Sequence, residues 1–286
     1  MDNILEITNL RKEYTGFSLK DISFTLPRGF IMGFIGPNGA GKSTTIKLIM
    51  NLLKKDSGEV KIFGKDHIEC EREIKNRIGF VYDQNYFYET LTVDEMKNIV
   101  APFYTEWDDE IFIKYLKKFN VSKNKRIKDL SRGMQMKFSL AIALSHNAEL
   151  IIMDEPTSGL DPLVRRNLLD ILYELIQDEN KGVFFSSHIT SDLDRIADFI
   201  TFISNGEIIF STTKDEILDN YAIIKGSNEL INIEIKKEFI GFRENRFGFE
   251  ALVKDKQKIR KIYKDNVIIE KPTLEDIMVY HTRGEY

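Results

Sequence analysis

The sequence predicts an α/β fold built on a mainly parallel sheet, and three observations carry that expectation. Residues 30–35 form an almost unbroken apolar run, as a strand buried on both faces requires. That run leads directly into the glycine-rich stretch 36–44. A segment with helical apolar spacing follows, at Ile46, Ile49, Met50 and Leu53. Strand-like apolar runs then return at 150–153, 182–186 and 199–203, separated by segments long enough for crossover helices.

The elements follow in order. Residues 4–10 alternate apolar and polar, and 19–26 alternate again until Pro27-Arg28-Gly29 turns the chain. These read as antiparallel strands ahead of the parallel core. Short strands are expected at 58–63 and 78–82. From about 86 to 145 the chain is rich in Lys, Glu and aromatic residues, which reads as a helical insertion. Asn205-Gly206 signals a hairpin into a strand at 208–210. Beyond Ser211 the pattern changes. A strand at 231–235, a helix at 255–264 and a strand at 267–270 suggest a small α+β appendage. The expected division is 1–211 and 212–286.

Composition narrows the class. The chain has 286 residues, with 41 Lys and Arg against 45 Asp and Glu, for a formal charge of -4. That balance argues against a protein that wraps nucleic acid. The single cysteine, Cys70, excludes a disulfide within the chain. No run approaches the roughly 18 to 20 apolar residues of a membrane span. The start, Met1-Asp2-Asn3-Ile4, lacks the basic and then apolar pattern of a signal peptide. A cytoplasmic location is expected, with any membrane role exercised through a partner.

Two motifs carry chemistry. Gly36-Pro37-Asn38-Gly39-Ala40-Gly41-Lys42-Ser43-Thr44 fits G-x-x-x-x-G-K-[ST] between a buried strand and a helix. Glycines permit close backbone approach, so N–H groups and the helix N-terminus can face phosphates. Lys42 is placed to reach the outer phosphates and Ser43 to ligate Mg²⁺. The second motif is an apolar strand ending in Asp154-Glu155. Asp154 suits the magnesium ion. Glu155, facing the other way along an extended strand, suits an attacking water as base or polariser.

Further ordered pieces add to these: Gln84 after the strand at 78–82, Leu130-Ser131-Arg132-Gly133-Met134 opening a helix, Ser158-Gly159-Leu160-Asp161, and His188 after the strand at 182–186. In this order the chain resembles the nucleotide-binding domain of ABC transporters, over roughly residues 4–211. The tail Pro272-Thr273-Leu274-Glu275-Asp276-Ile277 is similar to that of the antibiotic- and peptide-export branch; it also reads as a helix capped by Thr273 with Asp276 at N3.

The resemblance implies an ATP-hydrolysing subunit of an exporter, working with ATP and Mg²⁺ at the inner face of the cell membrane. Its partners would be a transmembrane permease subunit and a second nucleotide-binding domain, identical or related. It implies that Ser131 and Gly133 serve the nucleotide of that second domain. Gln84 would touch Mg²⁺ or the water, Asp161 would order the dimer seam, and His188 would contact the γ-phosphate. Tyr14 is the expected adenine platform, with Phe17 its competitor. Tyr86, Phe87, Tyr88, Phe103, Tyr104 and Trp107 fall where the family receives a helix of the membrane subunit; packing inside the helical insertion is the alternative. His67, His146 and His281 match no motif.

The signature departs from Leu-Ser-Gly-Gly-Gln: Arg132 stands third and Met134 fifth. The Arg132 guanidinium could strengthen phosphate binding or pair with an acidic neighbour, and Met134 lacks the hydrogen bonds of glutamine. A working site and one half of an asymmetric pair both remain open. A subunit that gates or senses through a membrane partner with little turnover is the rival function. A chromosome-type ATPase would need a coiled-coil insertion, and no sustained heptads lie between Lys42 and Ser131.

Overall fold

A computed structural model of the chain describes residues 2–83, 86–231, 236–263 and 266–283. The described chain divides into two compact units, Met1–Ile209 and Phe210–Tyr286.

The first unit holds two sheets. An antiparallel sheet has the order β2-β1-β4-β5, from β1 (Asn3–Tyr14), β2 (Phe17–Pro27), β4 (Ser57–Ile62) and β5 (Lys65–Asp66). The second comprises β3 (Ile31–Ile35), β6 (Ile78–Val81), β7 (Leu150–Met153), β8 (Gly182–Ser187), β9 (Phe199–Ser204) and β10 (Glu207–Thr213). Its order is β10-β9-β3-β8-β7-β6, with β3 parallel to both β8 and β9, and β7 parallel to both β6 and β8. Every residue of β3, β7 and β8 is buried, which is why β3 and β7 read as continuous apolar runs and β8 as one up to Ser186 and Ser187. Phe24 of β2, Phe34 of β3 and Phe184 of β8 join the sheets, with ring centroids 5.4–5.6 Å apart.

Strand β1 runs past its expected end. Its register against β2 shifts between Ile7 and Leu10, and Asn9 takes φ 49°. A bulge of this kind breaks the two-residue period by which a strand is read, so the far half of β1 is hidden from pattern analysis. The extension ends at Tyr14, which pairs with Phe17 across the turn at Gly16.

Helix α1 (Lys42–Ile49) begins inside the glycine-rich motif and ends sooner than its apolar spacing suggests. Asn51 adopts φ 50°, a left-handed residue that stops the helix. A short α2 (Glu71–Asn76) precedes β6. The helical insertion contains α3 (Val93–Val100), α4 (Asp109–Phe119) and α5 (Arg132–Leu144). Thr92 and Glu95 form a reciprocal capping box on α3, and Asp108 caps α4. Helices α6 (Pro162–Leu175) and α7 (Thr190–Ile196) follow β7 and β8, and Arg165 of α6 pairs with the buried Asp192 of α7.

The aromatic segment is divided in its role. Tyr86, Tyr88 and Phe103 are exposed, whereas Phe87 packs on Phe138 at 4.8 Å. Tyr104 stacks on the buried His146 at 3.7 Å, and Trp107 packs on Phe112. His67 is also buried, its Nδ1 3.2 Å from the Val60 carbonyl.

The second unit has α8 (Lys214–Asn220), β11 (Ala222–Gly226), β12 (Phe239–Asn245), β13 (Gly248–Val253), α9 (Lys256–Tyr263), β14 (Ile268–Glu270) and α10 (Leu274–Arg283). Its antiparallel sheet has the order β12-β13-β11-β14. Most of the strand expected at 231–235, and Lys264 of the expected helix, lie outside the described residues. Thr273 and Asp276 form the anticipated reciprocal cap of α10. Tyr280, buried on α10, donates to Glu250 at 2.6 Å and accepts from Arg243 at 2.9 Å; burial first, then the Glu250 bond, pushes its hydroxyl to about 12.

Gly79 of β6 lies directly under α5. A Cβ there would stand 2.5 Å from the Ala143 carbonyl oxygen and 2.6 Å from Ile151 Cδ1. A backbone atom cannot swing aside, so Gly79→Ala should cost about 1–3 kcal/mol. A fall in Tm of several degrees on thermal melting is expected. An unchanged Tm would mean that α5 does not seat on β6 this closely.

Candidate active site

The candidate site forms at the carboxyl ends of β3, β7 and β8. Buried β3 delivers the chain into the loop 36–41, where Gly39 and Gly41 take φ 80° and 113°. A Cβ on Gly36 would stand 2.3 Å from the Ile203 carbonyl oxygen, so the loop must begin with glycine. Ala40 is buried, and its N–H donates to the Pro37 carbonyl. Helix α1 then starts at Lys42, which puts the amino end of a helix beside the loop's backbone N–H groups.

Lys42 is only 6% exposed. Its ammonium donates to the carbonyls of Gly36 at 2.8 Å and Pro37 at 3.2 Å, and lies 3.2 Å from Glu155 Oε1. The other Glu155 oxygen accepts from His188, at 2.7 Å from Nδ1 and 3.3 Å from the backbone N–H. Glu155 thus bridges the loop lysine and the histidine that follows β8.

Asp154 and Glu155 separate because the backbone turns between them. Asp154 continues β7, its N–H bonded to the Val81 carbonyl. Glu155 takes φ 50° and leaves the strand. Ser186 holds both: its hydroxyl donates to Asp154 Oδ1 at 2.7 Å and accepts from the Glu155 N–H at 2.9 Å. Burial pushes the Asp154 carboxyl above its ordinary value, hydrogen bonds from Ser186 and Ser43 oppose it, and the charges of Asp83 and Glu155 add to it. A buried carboxylate with two hydroxyl neighbours fits a magnesium ion.

A cleft of about 430 Å³ opens over these groups. Phe17, Asn38, Gly39, Gly41, Lys42, Ser43, Thr44, Asp83, Arg132, Glu155, Ser158 and His188 line it. The structure therefore brings the loop and the strand-end acids together. Ser131, Gly133 and Asp161 are not among the lining residues. Ser131 caps α5 by accepting from the Met134 N–H at 3.3 Å. Gly133 faces Val164, and Asp161 caps α6 through the N–H groups of Leu163 and Val164. Gln84 lies outside the described residues. Tyr14 lines a neighbouring cleft of about 500 Å³, while Phe17 lines both.

Sequence reasoning gave no role to Ser186 or Asp83, and named Ser158 only as part of its motif. Ser186 had a visible signal, since a hydroxyl at the end of a buried apolar run needs a partner. Asp83 had one in its place before Gln84. Ser158 carried none beyond its motif.

The family model for ABC transporters matches residues 19–158. The bacitracin transport ATP-binding protein BcrA of Bacillus licheniformis is 33% identical over 212 residues, 73% of this chain and 69% of that protein. The ABC transporter ATP-binding protein YtrB of Bacillus subtilis is 25% identical over 290 residues, 99% of each chain. A solved structure of the ATP-binding subunit of an ABC transporter matches with TM-score 0.69 at 29% identity, covering 76% of this chain and 92% of that one.

The Asp154 environment carries a pH signature. An acid whose folded value is raised contributes stability while protonated, and that stability is lost as pH rises through the raised value. Asp154→Asn keeps an acceptor for Ser186 and never ionises. In thermal melts with chelator and without nucleotide, its Tm should therefore gain on the parent as pH rises from about 4 to about 7. The gain should be about 2–4 °C for each kcal/mol relieved. A difference that does not vary with pH would contradict the burial of an ionised Asp154.

Proposed function

The chain belongs to the ABC transporter family of ATP-binding subunits, and we propose on that premise that it hydrolyses ATP at the Lys42–Glu155–His188 site to drive an exporter. One observation carries this reading: Glu155 stands between the loop lysine and His188 at the mouth of the phosphate cleft.

The roles follow from the geometry. Backbone N–H groups from Gly36 to Thr44, Asn38 and Ala40 included, would cradle the phosphates. Lys42 would exchange Glu155 for the outer phosphates, since a cation has far more to gain from two phosphates than from one carboxylate. That exchange frees the Glu155 oxygen to accept a proton from the attacking water, while His188 keeps the other oxygen oriented. Ser43 and Asp154 would hold Mg²⁺, with Gln84 as a further ligand, and the ion supplies positive charge against the phosphates when bound. Tyr14, paired with Phe17 at the end of the antiparallel sheet, would stack on adenine. The chemistry is positioning plus electrostatics.

Ser131, Gly133 and Asp161 sit outside the cleft of their own chain. That placement supports a role toward a second ATP-binding subunit, identical or related, with ATP closing the pair. Exposed Tyr86, Tyr88 and Phe103 offer the aromatic contacts that protein interfaces favour, and suit a transmembrane permease at the inner membrane face. Among the described residues no helix is long and apolar enough to cross a membrane. The bacitracin transport named for BcrA, together with the tail at 272–277, supports export.

Glu155→Gln tests the reading. Turnover of ATP should fall at least a hundredfold, the scale of losing a catalytic base. Light scattering on a sizing column should show the variant's mass doubling in Mg-ATP. A loss of turnover without doubling would point to a different ATPase partner. Turnover that is negligible before the substitution would favour a gating subunit.

A further inference from the structure

We infer that Arg165 is a positioning residue for ATP hydrolysis: it holds the start of α7 and thereby keeps His188 on Glu155. This rests on the reading of Glu155 and His188 as the hydrolytic pair. His188 stands between two anchors. Behind it, β8 ends at Ser187, whose hydroxyl accepts from the Ile189 N–H at 2.9 Å. Ahead of it, α7 begins at Thr190 with no side-chain cap from Ile189. Its first turn is held from another helix instead. The Arg165 guanidinium on α6 donates through Nε to Asp192 Oδ1 and through Nη2 to Ser191 Oγ, the latter at 2.7 Å.

A planar fork on two consecutive residues fixes direction as well as distance. Asp192 is 2% exposed, and its other oxygen is buried with no hydrogen-bond partner among the described residues. Arg165 is the cation that pairs with it there. A carboxylate this deep is tolerated only with its charge answered, so the first turn of α7 cannot leave α6 without stranding that charge. Asp192 in turn donates its N–H to the Ile189 carbonyl at 3.2 Å, so the chain just after His188 follows the clamp. The imidazole lies 2.7 Å from Glu155 Oε2, and the His188 N–H donates to the same oxygen at 3.3 Å. Two contacts on one oxygen need the backbone and the ring in place at once, and the clamp supplies the backbone. Arg165 does not line the cleft, so its effect on turnover runs through His188.

The test uses the full chain with Arg165→Lys, and with Arg165→Met combined with Asp192→Leu, which removes the clamp without leaving a buried charge alone. NMR of protein with isotopically labelled histidine identifies the His188 signal by its loss in His188→Gln. In the double variant that signal should move in the direction that Glu155→Ala moves it, since both remove the 2.7 Å contact. The signals of His67 and His146, buried elsewhere, should stay. The kcat should fall about tenfold with KM for ATP within about twofold, because the phosphate loop is untouched. Arg165→Lys keeps the charge without the fork and should lose about threefold. A His188 signal that stays in place, or a kcat that stays at the parent's value, would overturn the inference and leave the ATP site intact. So would a loss of turnover in which the His67 and His146 signals move too, since Arg165 would then serve the fold alone. Full turnover in His188→Gln would overturn the reading of the site, and this inference with it.

Discussion

A buried cation organises this site. Lys42 sits at the amino end of a helix, where the backbone already carries positive partial charge, and it is almost wholly removed from water. An unpaired ammonium there would be strongly disfavoured. The fold answers with two carbonyls of the loop and one carboxylate from another strand. Gly36 must present its carbonyl inward, β7 must end beside β3's neighbour β8, and Glu155 must leave its strand to reach the lysine. Each of these is a backbone requirement, met by glycine, by parallel strand order and by a left-handed residue.

Ser186 is the hinge of that arrangement. Neighbouring residues of an extended strand point apart, yet Asp154 and Glu155 must serve one cleft. The chain resolves this by turning at Glu155, with its N–H anchored on the hydroxyl that also holds Asp154. One serine on β8 thereby sets the positions of two acids on β7. The acids keep distinct environments: Asp154 is buried and resists ionisation, whereas Glu155 shares its charge with a lysine and a histidine.

Much of this was legible in the sequence because the requirements are local. The glycines, the lysine and the apolar strands around them announce the loop, and the acids at the end of an apolar run announce their strand. What stayed hidden depends on distant contacts. The bulge at Asn9 conceals half of β1. The aromatic segment cannot be divided by pattern, since Phe87 finds Phe138 and Tyr104 finds His146 only after folding, while Tyr86 meets Tyr82 edge-on at 4.9 Å yet stays exposed, as Phe103 does. In the second unit, β11, β12 and β13 are short and each is interrupted by charge, at Lys225, at Arg243 and Glu244, and at Glu250, so no run stands out.

The direction of Arg132 is the sharpest case of the same limit. Its two open alternatives were a phosphate and an acidic neighbour, and a sequence has no means of separating them. The structure gives it neither carboxylate nor solvent alone, but the bare peptide of Gly159. That contact couples the opening of α5 to the turn ahead of α6, and both caps, Ser131 and Asp161, lie on the same coupled segment. A side chain at Gly159, already at φ 68°, would make the guanidinium of Arg132 shift aside.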